Sequence, residues 1–182
     1  MPDAGSGCRC VLCAPPPREF GNPWVHRMLA EVRTRQWSVL GVAEDDEFPG
    51  WAYTVGLTHS HGLAELAMFG LAVDDLQHWV STLAAAMTSG RVAPAASPID
   101  PAVLGLPVHL RPMDPSWHEP LFGMAHHFYQ GSHFRVRQIV WADRSGRYPW
   151  DDGVTEQSRE GQPPGWLPAD RAGHRWLDLL TE

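Results

Sequence analysis

Three cysteines stand close together near the start of the chain, at Cys8, Cys10 and Cys13. Three thiolates in so short a segment can converge on one soft cation, and zinc is the cation that we expect. A tetrahedral zinc site needs a fourth ligand, and His26, just inside the first predicted helix, is the nearest candidate in the sequence. Because a second cysteine pair is missing, reversible thiol oxidation and a flexible tail without metal stay open as alternatives.

Two histidine pairs provide further side chains of the type that binds metal. His59 and His61 fall in a predicted loop, where alternation could point both imidazoles the same way. No carboxylate or third histidine lies at a recognised metal-site spacing, so we favour solvated loop histidines for this pair. His126 and His127 lie about 100° apart on a predicted helix, so at most one of them faces the core.

Polar and aromatic residues on the predicted strands form a second candidate site. Side chains from neighbouring strands of a sheet can meet at the opening of one pocket. In the turn after the last predicted strand, Arg144 and Arg147 could bind an anion through bidentate guanidinium contacts. The alternative is that these polar groups hydrogen bond to one another in the core, or that the protein acts through an interaction surface for a protein partner. We predict a pocket for a small molecule or a substrate, lined by Tyr53, Thr54, Glu65, Gln138, Trp141, Asp143 and Arg147.

The composition excludes several classes of function. The 182 residues carry a formal charge of −7, which argues against a nucleic-acid partner. All 14 basic residues are arginines, so Schiff-base lysine chemistry and a phosphate-loop lysine are excluded. The apolar runs fall well short of the roughly 20 residues that span a membrane, and no basic segment followed by an apolar stretch opens the chain. We therefore expect a cytoplasmic protein without a membrane partner.

Hydrophobic periodicity and turn residues predict one α+β domain over residues 22–182, preceded by a cysteine-containing flexible arm over residues 1–21. The expected architecture is a mainly antiparallel sheet packed by about three helices. These helices are predicted over 22–36, 74–90 and 120–129, a further terminal helix over 170–180, and strands over 37–42, 51–57, 66–71, 108–111 and 134–141.

Four segments occur in an order typical of one protein family: Trp37-Ser-Val-Leu-Gly-Val42, Trp51-Ala-Tyr-Thr-Val-Gly-Leu57, Glu65-Leu-Ala-Met-Phe-Gly-Leu71 and Gln138-Ile-Val-Trp-Ala-Asp-Arg-Ser-Gly-Arg-Tyr-Pro-Trp150. Over roughly Met28 to Asp152 the chain resembles the bacterial DUF4262 family, a domain of unknown function. Many members also open with a cysteine pair, which Cys10 and Cys13 resemble, whereas Ala64 stands where the family usually has proline. The resemblance implies the fold and the motif positions and implies no reaction.

Overall fold

The strands of the chain form one five-stranded sheet in a computed structural model that describes residues 8–15, 22–46, 48–173 and 176. The order across the sheet is β1-β2-β3-β5-β4, and only the β3–β5 pair is parallel. The mainly antiparallel sheet of the prediction is therefore confirmed. The strands are β1 (Ser38–Val42), β2 (Trp51–Val55), β3 (Glu65–Phe69), β4 (Val108–Pro112) and β5 (Val136–Trp141).

Two long helices and several short ones surround this sheet. Helix α1 starts as predicted, because the Asn22 side chain accepts a hydrogen bond from the Trp24 N–H at 2.9 Å and proline occupies the first turn. Helix α3 likewise follows its predicted apolar spacing. The helices are α1 (Pro23–Arg35), α2 (Leu57–His61), α3 (Val73–Thr88), α4 (Pro101–Leu104), α5 (His118–Leu121), α6 (Gly123–Phe128) and α7 (Glu156–Gly161), with 3-10 turns at Pro115–Trp117 and Ala169–Arg171.

Two predicted elements differ from the structure. The second strand ends at Val55, because Gly56 adopts φ 111° and turns the chain into helix α2, where a loop was predicted. The helix predicted over 120–129 is two helices, α5 and α6, separated by Phe122, which leaves the helical conformation and is buried in the core. Most of the terminal helix predicted over 170–180 lies outside the described residues.

Apolar side chains cover both faces of the sheet. Leu76, Val80 and Leu83 of α3 pack with Leu66 and Met68 on one face. The other face packs against α1, α6 and the segment around Cys10, which is fully buried. Because both faces are covered, every residue of β2 and of β3 is buried, as expected for central strands. Among the described residues, no helix combines the length and the apolar character needed to cross a membrane.

Candidate metal centre

The three cysteine thiols surround one ring nitrogen of His59. The distances from His59 Nδ1 to Sγ are 3.8 Å for Cys8, 3.3 Å for Cys10 and 3.4 Å for Cys13. All four donor atoms lie within 4.8 Å of one another. This cluster, the Cys3His cluster, therefore gathers four metal-binding side chains from two distant parts of the chain.

Backbone and side-chain hydrogen bonds fold the cysteine segment into a turn. Cys13 and Ala14 donate their N–H groups to the carbonyl oxygen of Cys10, at 3.0 and 2.9 Å. The side chain of Gln130 donates to the carbonyl oxygens of Arg9, at 2.9 Å, and Ala14, at 2.6 Å. These bonds point the thiols toward one centre, since they hold both ends of the turn.

The same turn is attached to the folded domain next to His59. Val11 donates its N–H to the carbonyl oxygen of Phe128 at 2.9 Å, and its side chain is buried. The ring of Phe128 in turn makes an edge contact with the ring of His59, with centroids 6.1 Å apart. Residue 128 therefore contacts both the cysteine turn and the histidine.

Glu65 positions the helix that carries His59. Its carboxylate accepts hydrogen bonds from the N–H groups of Leu57, at 3.3 Å, and Thr58, at 2.9 Å, which are the first two residues of α2. The hydroxyl groups of Thr54, at 2.7 Å, and Tyr129 also donate to it. An acceptor at this place satisfies N–H groups that a helix leaves without internal partners. Glu65 thereby fixes the start of α2, two residues before His59.

The four groups that hydrogen bond to the Glu65 carboxylate are all donors. The hydroxyl of Thr54 accepts an N–H from Leu66 at 2.9 Å, and that of Tyr129 accepts one from Gly56 at 3.2 Å. Each hydroxyl therefore turns its own proton toward Glu65. Burial raises the pKa of Glu65, while these hydrogen bonds oppose that shift, and four donors around the carboxyl match its ionised form. The network is a closed hydrogen-bonded unit in the core.

When no cation is bound, burial disfavours the charged forms of the donor groups in the cluster, the thiolates and the imidazolium. It raises the pKa of Cys10 to about 12, raises the pKa of Cys13, and lowers the pKa of His59. A thiol sensor would need the opposite, a thiol whose pKa is lowered. A divalent cation, by contrast, would favour thiolate sulfur and neutral imidazole.

The fourth donor of the cluster is His59, where the sequence had favoured His26. His26 is exposed on α1 and is not among the four donors that converge. His59 lies on a short helix instead of in a solvated loop, so our interpretation of that histidine is corrected. His61, on the same helix, contacts Trp37 instead, with ring centroids 6.1 Å apart. The sequence signal that we missed is the glycine at each end of α2, Gly56 and Gly62, both with positive φ.

The residues of the predicted pocket make hydrogen bonds within the domain, in separate groups. Gln138 donates to the carbonyl oxygen of Pro163 at 2.9 Å and accepts from the N–H of Gly165 at 3.2 Å. The indole of Trp141 donates to the carbonyl oxygen of Phe69 at 2.8 Å. The structure brings Thr54 and Glu65 together, as described above, but their partners differ from those of Gln138 and Trp141.

The remaining pocket candidates have structural contacts as well. Tyr53 packs edge-on against Phe122, with centroids 5.1 Å apart, and burial raises its pKa to about 12. Asp143 accepts hydrogen bonds from the N–H of Arg147 at 3.0 Å and of Ser145 at 2.8 Å, and the first of these chiefly lowers its pKa. The Arg147 side chain donates to the carbonyl oxygen of Gly153 at 2.7 Å. These contacts favour the alternative stated above, polar groups that satisfy one another.

Comparison with known proteins assigns the domain. Neither the curated proteins nor the solved structures gave a match. A family model described as a domain of unknown function, DUF4262, matches residues 31–155, a range that includes His59 and Glu65 but not the cysteines. Because this match covers more than half of the 182 residues, the chain belongs to the DUF4262 family, in agreement with its strand motifs.

Proposed function

We propose that this protein binds zinc and that Cys8, Cys10, Cys13 and His59 hold one Zn²⁺ between them. The observation that carries the proposal is the set of sulfur-to-nitrogen distances. A tetrahedron with ordinary Zn–S and Zn–N bonds has S···N edges of about 3.6 Å. The three distances of 3.3, 3.4 and 3.8 Å bracket that value. These three distances are therefore compatible with one tetrahedral zinc ion.

The chemistry of the donor set favours zinc in a structural role. Three sulfur donors and one imidazole are soft or borderline ligands, which suit zinc and not magnesium or calcium. Four protein ligands complete a tetrahedron and leave no position for water or substrate, as in structural zinc sites. In this role the metal would polarise no substrate and would instead join two parts of the chain.

The site would attach the cysteine segment to the DUF4262 domain. Cys13 and His59 are separated by 46 positions, so a shared metal closes a long loop. The three cysteines are free thiols, and zinc needs them reduced. A reducing compartment is the natural setting for such a site, and we propose the cytoplasm for this protein.

Metal analysis of the full chain tests the proposal. Protein purified under reducing conditions and without chelator should contain about one zinc per chain, the stoichiometry of a four-ligand site. His59→Ala should lose most of the zinc and weaken its binding strongly, because the cluster then lacks its only nitrogen donor. Cobalt substitution should give a tetrahedral, thiolate-rich absorption spectrum in the unchanged protein.

Two matched histidine variants serve as controls. His61→Ala removes an imidazole from the same helix, and His26→Ala removes the histidine that lies nearest the cysteines in sequence; both should keep the zinc. The proposal is refuted if the reduced full chain binds no zinc, or if His59→Ala binds zinc as tightly as the unchanged protein.

A further inference from the structure

A cleft of about 470 Å³ opens at the end of the sheet where β3 and β5 begin and β4 ends. This volume is within the range of pockets that hold small molecules. Apolar side chains and two arginines share its walls, which include Met87, Met113, His118, Phe134, Arg135 and Arg137.

The charge of the cleft is opposite to that of the protein. The charged side chains in its walls are two arginines, Arg135 and Arg137, and the walls contain no aspartate or glutamate. The whole chain, by contrast, has a formal charge of −7. Neither Arg135 nor Arg137 forms an ion pair with a residue that the structure describes. A cationic cleft without its own carboxylates would attract an anion from solution.

Both arginines keep donors for a ligand. Arg135 donates one hydrogen bond, to the carbonyl oxygen of Gly62 at 3.3 Å. Arg137 donates to the carbonyl oxygens of Leu110, at 2.8 Å, and Pro94. A guanidinium has five N–H donors, so each side chain is held in place by main-chain oxygens while further N–H groups stay available.

His118 adds a buried polar atom in the same wall. Its ring stacks on Phe134, with centroids 4.8 Å apart and an angle of 23° between the planes. Its Nε2 atom is buried and has no hydrogen-bond partner within the described part of the chain. Because protein atoms cover Nε2, a ligand in the cleft would touch other atoms of the His118 ring.

We propose that this cleft binds a small organic carboxylate with an apolar or aromatic body. The carboxylate would pair with a guanidinium fork, which matches its geometry. The apolar body would lie against Met87, Met113 and Phe134, away from water. This site is separate from the Cys3His cluster and does not depend on zinc.

Binding of phenylacetate to the zinc-loaded full chain tests the proposal, with phenylacetamide as the uncharged match. Phenylacetate should bind and shift the His118 ring resonances in NMR spectra, and phenylacetamide should do neither. Arg135→Gln should weaken phenylacetate binding about tenfold, the size of one charge-assisted hydrogen bond. Arg33→Gln, the same change on the exposed face of α1, should leave it unaltered.

A second variant keeps the test independent of the loss of an arginine. Ala95 is exposed at the cleft, so Ala95→Glu adds a carboxylate there and should also weaken phenylacetate binding. The proposal is overturned if phenylacetate fails to bind, if phenylacetamide binds equally, or if both variants bind phenylacetate normally. Inorganic phosphate binding as tightly as phenylacetate would also overturn it, because the apolar body would then contribute nothing.

Discussion

Replacement of Glu65 by glutamine tests the hydrogen-bonded unit that positions α2. The carboxylate accepts four hydrogen bonds, whereas a glutamine amide offers one acceptor oxygen and brings two donors of its own. If that oxygen keeps two of the four, the other two donors lose their acceptor in the core. Each such loss costs about 1–3 kcal/mol, so we expect Glu65→Gln to lower the free energy of unfolding by about 3 kcal/mol.

Thermal and urea unfolding of zinc-loaded protein measure this loss. For a chain of this size, about 3 kcal/mol corresponds to a fall in Tm of roughly 6–12 °C. Glu119→Gln, the same substitution at an exposed position of α5, should change the free energy by less than about 0.5 kcal/mol. We also expect Glu65→Gln to bind zinc more weakly, because a single amide oxygen holds the start of the helix that carries His59 less firmly than two carboxylate oxygens do.

The reasoning would be refuted by a Glu65→Gln variant as stable as the unchanged protein. That result would mean that the buried amide finds acceptors that the structure does not place beside it. A Glu65→Gln variant of normal stability that binds zinc more weakly would show that Glu65 positions α2 without stabilising the fold.

Three further predictions concern the cysteine turn, the cleft and a close backbone contact. Gln130→Ala should weaken zinc binding about tenfold, because it removes the two hydrogen bonds that hold the cysteine turn. Gln157→Ala, at an exposed position, should leave zinc binding unchanged. Competition with a chromophoric chelator measures both affinities. Burial lowers the pKa of His118 from 6.5 to about 4, so the unfolded chain takes up this proton first as the pH falls. The free energy of unfolding should therefore be highest above pH about 6.5 and fall by about 1–2 kcal/mol toward pH 4.5, a figure reduced for the partial exposure of the ring. In urea titrations at several pH values, His118→Phe should lack this part of the pH dependence. Gly70→Ala should cost about 2–4 kcal/mol in urea unfolding, because Gly70 has φ 84° and a Cβ would lie 2.6 Å from the carbonyl oxygen of Gly161. Gly62→Ala, also at positive φ but with open space around it, should cost only about 1 kcal/mol.

Each of these predictions has a contrary result. Equal zinc affinity of the Gln130 and Gln157 variants would show that the hydrogen bonds from Gln130 do not contribute to zinc binding. A pH profile of His118→Phe parallel to that of the unchanged protein would assign the slope to other groups. Equal costs at Gly70 and Gly62 would show that conformation, and not the contact with Gly161, sets the penalty.

The elements that the sequence predicts well are those with local causes. Helix α1 depends on the cap at Asn22 and on apolar residues one turn apart, and α3 depends on the same spacing. The end of β2 at Val55 was not predicted. The chain turns at Gly56 because the hydroxyl of Tyr129 accepts the N–H of Gly56, and Glu65 accepts the N–H groups at the start of α2. Those contacts join residues far apart in the chain and leave no periodic pattern.

The candidate metal centre was half predictable for a related reason. Thiols are recognised by residue type and by their closeness in the sequence, so Cys8, Cys10 and Cys13 stand out. His59 has no such signal, since it meets them only after α2, α6 and the cysteine turn have packed together. The pocket prediction treated Thr54, Glu65 and Gln138 as one group, although a buried polar residue in a strand can equally serve the core.

The parallel pairing of β3 with β5 makes the sheet depend on the order of synthesis. Strand β3 leaves the ribosome long before its partner, which follows only after residues 70–135 have been made. Until then one edge of β3, a strand of five residues that the finished fold buries, is open to pairing with other chains. A nascent or shortened chain that stops before Val136 is therefore exposed to aggregation, and completion of the sheet coincides with the arrival of β5.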